Sequence, residues 1–175
     1  MKYASALPHR DAAKPNARHV IGIGELVVSD DPSATIATHA IGSCVAVCVF
    51  DPVASVAGML HFLLPEASIN PARAKRQPAA FADTGIPLLF QTASEYGLSK
   101  TRAIVKLVGG AELGRSSGAG FPTGHRNALA ARHLLWRTGV FVAAEDLGGT
   151  QARTLHLLVA NGRLQIFSGQ AFKEL

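Results

Sequence analysis

Charge is scarce in this chain. Only 17% of its 175 residues are Asp, Glu, Lys or Arg, against 48% apolar ones; that balance excludes a disordered chain and requires an extensive core. Cysteine is nearly absent, with Cys44 and Cys48 the two examples. Four positions apart on a strand, they share a face but stand about 13 Å apart, too far for a disulfide. Free thiols in a reducing compartment are therefore expected. There is no Cys-x-x-Cys pair, and Cys44-x-x-x-Cys48 with His61 fits a zinc site poorly. Long hydrophobic runs are missing as well. The longest charge-free stretch, residues 32–50, is interrupted by Ser, Thr, Gly and His, so no membrane helix is expected. The basic residues Lys2, Arg10, Lys14 and Arg18 precede no apolar signal segment, which leaves a cytoplasmic location as the default.

The net charge of +5 is concentrated. Residues 1–18 carry four basic groups and one acidic group, and Arg73, Lys75 and Arg76 add three more positive charges. The rest of the chain is close to neutral, so no continuous basic face for nucleic acid is expected. The two basic segments are either solvated and flexible or steer the protein toward an acidic partner.

Read in order, residues 1–18 form a disordered basic tail and residues 19–175 a single domain. Strands are expected over residues 20–29, 34–39, 44–50 and 55–64. The valine-rich run 44–50 reads as a strand buried on both faces and closed by the turn Asp51-Pro52. Residues 66–78, with Pro71 and Pro78 and three basic residues, read as a surface loop. Residues 79–96 read as a helix, with Asp83 or Thr84 as cap, Pro87 in an early turn and Gly97 past its end. A strand over 102–108 leads to Gly109-Gly110. Residues 114–124 form a Gly/Ser-rich loop that lacks any phosphate-binding pattern. Asn127 is a plausible N-cap for a second helix over 127–138, followed by Gly139. A strand over 140–145 comes next, and then two strands, 153–160 and 163–168, flanking Asn161-Gly162, a strong hairpin signal. The fold class is α/β in the mixed α+β sense, with largely antiparallel sheets and flanking helices.

The chemistry centres on Cys44 and His61. Each lies in one of two apolar strands joined by a short turn, and their pairing brings thiol and imidazole together. Cysteine attacks as thiolate, and a neighbouring imidazole can take its proton. Thr38 is the candidate to orient the ring through its other nitrogen. The small residues Gly42 and Ser43, with the Cys44 backbone, are candidates for an oxyanion or substrate-positioning turn. The alternatives are a packed core cysteine, a structural histidine at His61, and His39 as a rival base. Glu145 and Asp146 are sequence neighbours that point to opposite sides of a strand, so they do not form an acid/base pair.

These residues resemble the chemoreceptor glutamine deamidases of the CheD family. The resemblance runs from about residue 20 to residue 167. It is strongest in Thr38-x-x-x-Gly42-Ser43-Cys44-Val45, Asp51-Pro52, Gly58-Met59-Leu60-His61 and Leu64-Pro65. It extends to residues 82–89, Gly109-Gly110-Ala111, Arg126-Asn127 and residues 145–149. Leu113 departs from the family's frequent methionine at that position. The resemblance implies a layered sandwich related to deamidating toxin domains. It also implies a Cys44–His61–Thr38 triad without metal or organic cofactor, acting on methyl-accepting chemotaxis receptors through a cysteine thioester. A CheC-type phosphatase is the implied partner. The rival classes are a non-catalytic adaptor that binds such a phosphatase and a transglutaminase-like acyl transferase.

Overall fold

The structure, a computed structural model, describes residues 17–112 and 123–175. These hold ten strands: β1 (Arg18–Ile21), β2 (Glu25–Ser29), β3 (Thr35–Ile41), β4 (Val45–Asp51), β5 (Val56–Phe62), β6 (Ile104–Gly109), β7 (Val142–Leu147), β8 (Arg153–Leu158), β9 (Leu164–Ser168) and β10 (Ala171–Glu174). The helices are α1 (Pro71–Arg76), α2 (Ala82–Glu95) and α3 (Thr123–Arg137), with short 3₁₀ turns at Ala67–Ile69 and Pro78–Ala80.

The strands form two five-stranded sheets, β1-β3-β8-β9-β10 and β2-β5-β4-β6-β7. Pairing is antiparallel except between β1 and β3 and between β6 and β7. Strand alternation divides the interior into two cores. Val45, Val47 and Val49 of β4 face α2 and α3 together with Leu60, Phe62, Ile86, Leu89 and Leu135. Ala46, Cys48 and Phe50, with Met59 of β5, face the other sheet, where they meet Ile36, Leu155, Leu157 and Ile166. The molecule is thus a sheet–sheet–helix sandwich. β4 is central and buried along its whole length, as its valine-rich run predicts. The mixed, mainly antiparallel fold class agrees with the sequence reading.

Several boundaries differ from expectation. Residues 20–29 do not form one strand. Gly22 and Gly24, the latter at φ 77°, turn the chain so that β1 joins one sheet and β2 the other. Arg18 pairs with Thr35 and so belongs to the sheet rather than to a tail; the remainder of the expected tail, residues 1–16, lies outside the described residues. The expected loop at 66–78 contains α1, where Pro71 opens the helix and the Asn70 side chain accepts from Arg73 N. α2 has no side-chain cap. Its Asp83 carboxylate instead accepts from Ala67 N, and Thr84 Oγ1 donates to the Pro78 carbonyl. α3 starts four residues before Asn127, which removes Asn127 from the N-cap position. Of the Gly/Ser-rich loop and Leu113, residues 113–122 lie outside the described residues. The β8–β9 hairpin forms as expected, with positive φ at Gly162.

The β4–β5 turn is held by a fully buried carboxylate. Asp51 accepts from Val53 N, Ala54 N, Ser99 N and both Nε and Nη2 of Arg102. Burial opposes its ionisation, but the Arg102 guanidinium and the three backbone donors win, holding the carboxyl well below the usual range. Asp51→Ala leaves these donors unpaired. We expect it to cost about 2–4 kcal/mol in urea unfolding, chiefly from the backbone donors, since Arg102 is exposed and regains water; a cost under about 1 kcal/mol contradicts this role.

Candidate active site

The nucleophile candidate sits where the chain crosses between sheets. β3 ends at Ile41 in one sheet and β4 begins at Val45 in the other; Gly42, Ser43 and Cys44 make the crossing. The turn is braced from a neighbouring loop, with Gly110 N donating to the Cys44 carbonyl at 2.8 Å and Ala111 N to the Gly42 carbonyl at 2.8 Å. Gly109, at φ 127°, allows the approach, since a Cβ there would lie 2.3 Å from the Cys44 carbonyl oxygen.

His61 lies opposite Ala46 in the β4–β5 ladder. Its side chain therefore points to the face shared by Ala46, Cys48 and Cys44, the face toward the second sheet. Thr38 reaches the same interior from β3. Between Thr38 and Ile41 the β3–β8 register shifts, and Ala40 takes φ 54°; such a bulge re-aims nearby side chains.

The hydrogen bonds settle the roles of the histidine nitrogens. Thr38 Oγ1 donates its one hydrogen to the Ile21 carbonyl at 2.9 Å. It can then only accept at 2.9 Å from His61 Nδ1, which must carry a proton. Nε2 of the neutral ring holds the lone pair. It is buried and makes no hydrogen bond among the described residues, to the Cys44 sulfur or to any other group. Thr38 and His61 thus meet as expected, and Cys44 shares their face without a closed sulfur–imidazole hydrogen bond.

Burial also sets the charge state. It pushes His61 down to about 4, with a small opposing pull from Glu25. It pushes the Cys44 thiol up, offset in part by its own backbone N–H and by the positive charge of Arg73. The resting pair is therefore neutral thiol and neutral imidazole, not the thiolate–imidazolium pair that nucleophilic cysteines often form. Cys44 is 6% exposed, against 1% for Cys48, whose thiol burial lifts to about 12. Only Cys44 lies near the surface. His39 is exposed, edge-on to His156 on the outer face, and so is not the rival base. Glu145 pairs with Arg132 and Asp146 with Arg153, which keeps the two carboxylates apart as expected.

Sequence reasoning missed two contributors. The positive charge of Arg73 favours the thiolate, and Asn127 bonds to the Ser43 and Leu63 carbonyls, near Cys44 and His61 in the chain. The Asn70-Pro71 start of α1 was a readable signal for the first; the second stood out in the sequence as part of the Arg126-Asn127 resemblance and as a helix cap, but its bonds to Ser43 and Leu63 depend on contacts distant in sequence.

The His61 shift has a stability consequence. The unfolded ring takes up a proton near 6.5 and the folded ring only near 4. The contribution is whole above pH 6.5 and is lost as pH falls toward 4, by up to about 1.4 kcal/mol per pH unit. Urea midpoints at pH 7 and pH 4.5 measure the slope, and His61→Asn should flatten it; an unchanged slope in that variant contradicts a ring buried neutral.

The sequence matches the CheD family model, described as CheD chemotactic sensory transduction, over residues 63–168. That span begins after His61, so it owes nothing to Thr38, Cys44 or His61. The chain is 40% identical to "Probable chemoreceptor glutamine deamidase CheD" of Solibacter usitatus, over 89% of this chain and 92% of the relative. It is 45% identical to "Probable chemoreceptor glutamine deamidase CheD 2" of Anaeromyxobacter dehalogenans, over 85% and 93%. A solved structure, Neisseria meningitidis protein NMB0706, is 13% identical with a TM-score of 0.44, over 77% of this chain and 62% of that one. With a matched span that covers more than half of its residues and relatives aligned over nearly their full length, the chain belongs to the CheD family.

Proposed function

We propose that the protein is a chemoreceptor glutamine deamidase, with Cys44 as nucleophile, His61 as general base and acid, and Thr38 holding the ring. The observation that carries this reading is the state of His61. Its Nδ1 is committed to Thr38, and its Nε2 is a buried base with no partner among the described residues, on the face that also holds Cys44.

The reaction runs in two halves. As the sulfur attacks the side-chain carboxamide carbon, the thiol proton passes to Nε2. The backbone N–H groups of the Gly42-Ser43-Cys44 turn receive the oxyanion. The imidazolium is a strong acid in this buried setting, which suits it to protonate the departing nitrogen. Ammonia leaves and a thioester remains. Water then attacks the thioester carbon and gives its proton to Nε2, and the proton returns to sulfur as glutamate departs. No net proton is stored, and the sum is amide plus water to carboxylate plus ammonium.

The family relatives named for chemoreceptor deamidation support receptor glutamines as substrate. A CheC-type phosphatase is a proposed partner, and the cytoplasm the proposed location. Incubation with a chemoreceptor cytoplasmic fragment and peptide mass spectrometry test the activity. The expected result is a gain of a single dalton at particular glutamines, with ammonia in equal amount. Binding without either product favours the non-catalytic adaptor. Incorporation of an added primary amine favours acyl transfer.

A further inference from the structure

Asn127 is fully buried in α3, yet its side chain serves two segments far away in sequence. Its Nδ2 donates to the Ser43 carbonyl at 2.8 Å and to the Leu63 carbonyl at 2.8 Å. Both amide hydrogens are thereby used. The orientation is forced, because a flipped amide would set Oδ1 against two carbonyl oxygens. Its cost is visible: Oδ1 is buried with no donor among the described residues. The first turn of α3 is seated closely enough to reach, since a Cβ on Gly124 would lie 2.5 Å from the Gly110 carbonyl oxygen.

The two carbonyls flank the two reacting side chains. Ser43 C=O shares a peptide plane with the Cys44 N–H, and in a trans peptide the two point in opposite directions. Holding the carbonyl toward α3 aims the N–H away from it, toward the side where the Cys44 sulfur lies. Neither Ser43 N–H nor Cys44 N–H donates to a backbone carbonyl among the described residues. Leu63 stands two residues past His61, so the second bond fixes the end of the strand that carries the base.

We infer that Asn127 is a positioning residue for the Cys44–His61 pair. Its amide holds the Ser43–Cys44 peptide so that the Cys44 N–H faces the developing oxyanion, and it locks the His61 strand to that turn. The inference rests on the deamidase reading for its substrate, and on the two hydrogen bonds for its geometry.

The test is Asn127→Ala, checked for native circular dichroism, with Asn127→Ser in its place should the alanine variant not fold. Two quantities are read: steady-state ammonia release, and the pH midpoint of Cys44 alkylation by iodoacetamide. The second is followed on the Cys44 peptide so that Cys48 does not contribute. We expect kcat to fall about 10²-fold or more, KM to stay within about threefold, and the alkylation midpoint to move upward. A folded variant with kcat within about threefold of the parent, or with an unmoved midpoint, overturns the inference. If the parent protein itself releases no ammonia, the deamidase reading falls. The alkylation midpoint alone then decides the role of Asn127, an upward shift supporting it and no shift overturning it.

Discussion

Cys44→Ala is expected to lower receptor deamidation by at least about 10⁴-fold while leaving the fold intact. Among the described residues no other group on that face can replace the sulfur. Cys48 is sealed in the inter-sheet core with its thiol lifted to about 12. Ser43 is half-buried on the same turn, but its hydroxyl is far too weak an acid for an imidazole lowered to about 4. Cys44→Ser should therefore be almost as inactive as the alanine variant, despite near-identical shape. Because Cys44 is a small side chain at the rim of its core, thermal stability should change little. Ammonia release by the alanine variant within about tenfold of the parent rate removes Cys44 from the mechanism.

Gly109→Ala is expected to damage both stability and activity. At φ 127° the added Cβ would lie 2.3 Å from the Cys44 carbonyl oxygen and 2.7 Å from Ile41 Cγ2. Backbone must move, and the backbone nearest is that of Cys44, the proposed nucleophile. Strain at such a φ costs about 1–3 kcal/mol, and forced repacking adds about 1–3 kcal/mol. A displacement of about 1 Å at the sulfur is enough to cost about 10²-fold in rate. Gly139→Ala is the control. It also has positive φ, 72°, but nothing lies within 4 Å of its Cβ, so it should lose about 1 kcal/mol and no activity. Equal stability and activity in the two variants contradicts the proposed fit of Gly109 against the Cys44 turn.

The parts of the fold that were legible in the sequence are those governed by local pattern. Residues 44–50 are valine-rich and end at Asp51-Pro52, so β4 and its pairing with β5 were readable, as were the positive-φ glycines at 97 and 139. The split at Gly22 and Gly24 was not, because residues 20–29 alternate loosely enough to read as one strand and only tertiary pairing sends the halves to different sheets. Proline weight hid α1, although Asn70-Pro71 is a sound helix start. In the site, Thr38 and His61 were readable and are joined by a 2.9 Å hydrogen bond. Their charge state was not, since it depends on how deeply the ring is buried. Asn127 carries a helix-cap signature when read locally. Its actual role lies in two carbonyls 84 and 64 residues away.

Whether sulfur and imidazole act as one unit is decided by ammonia release from a single receptor substrate with four proteins: the parent, Cys44→Ala, His61→Ala and the double variant. Groups that act together are not additive. The double variant is expected to be no slower than Cys44→Ala alone. Losses that multiply, with the double variant slower by the product of the two single effects, would show that His61 serves some step other than activating Cys44.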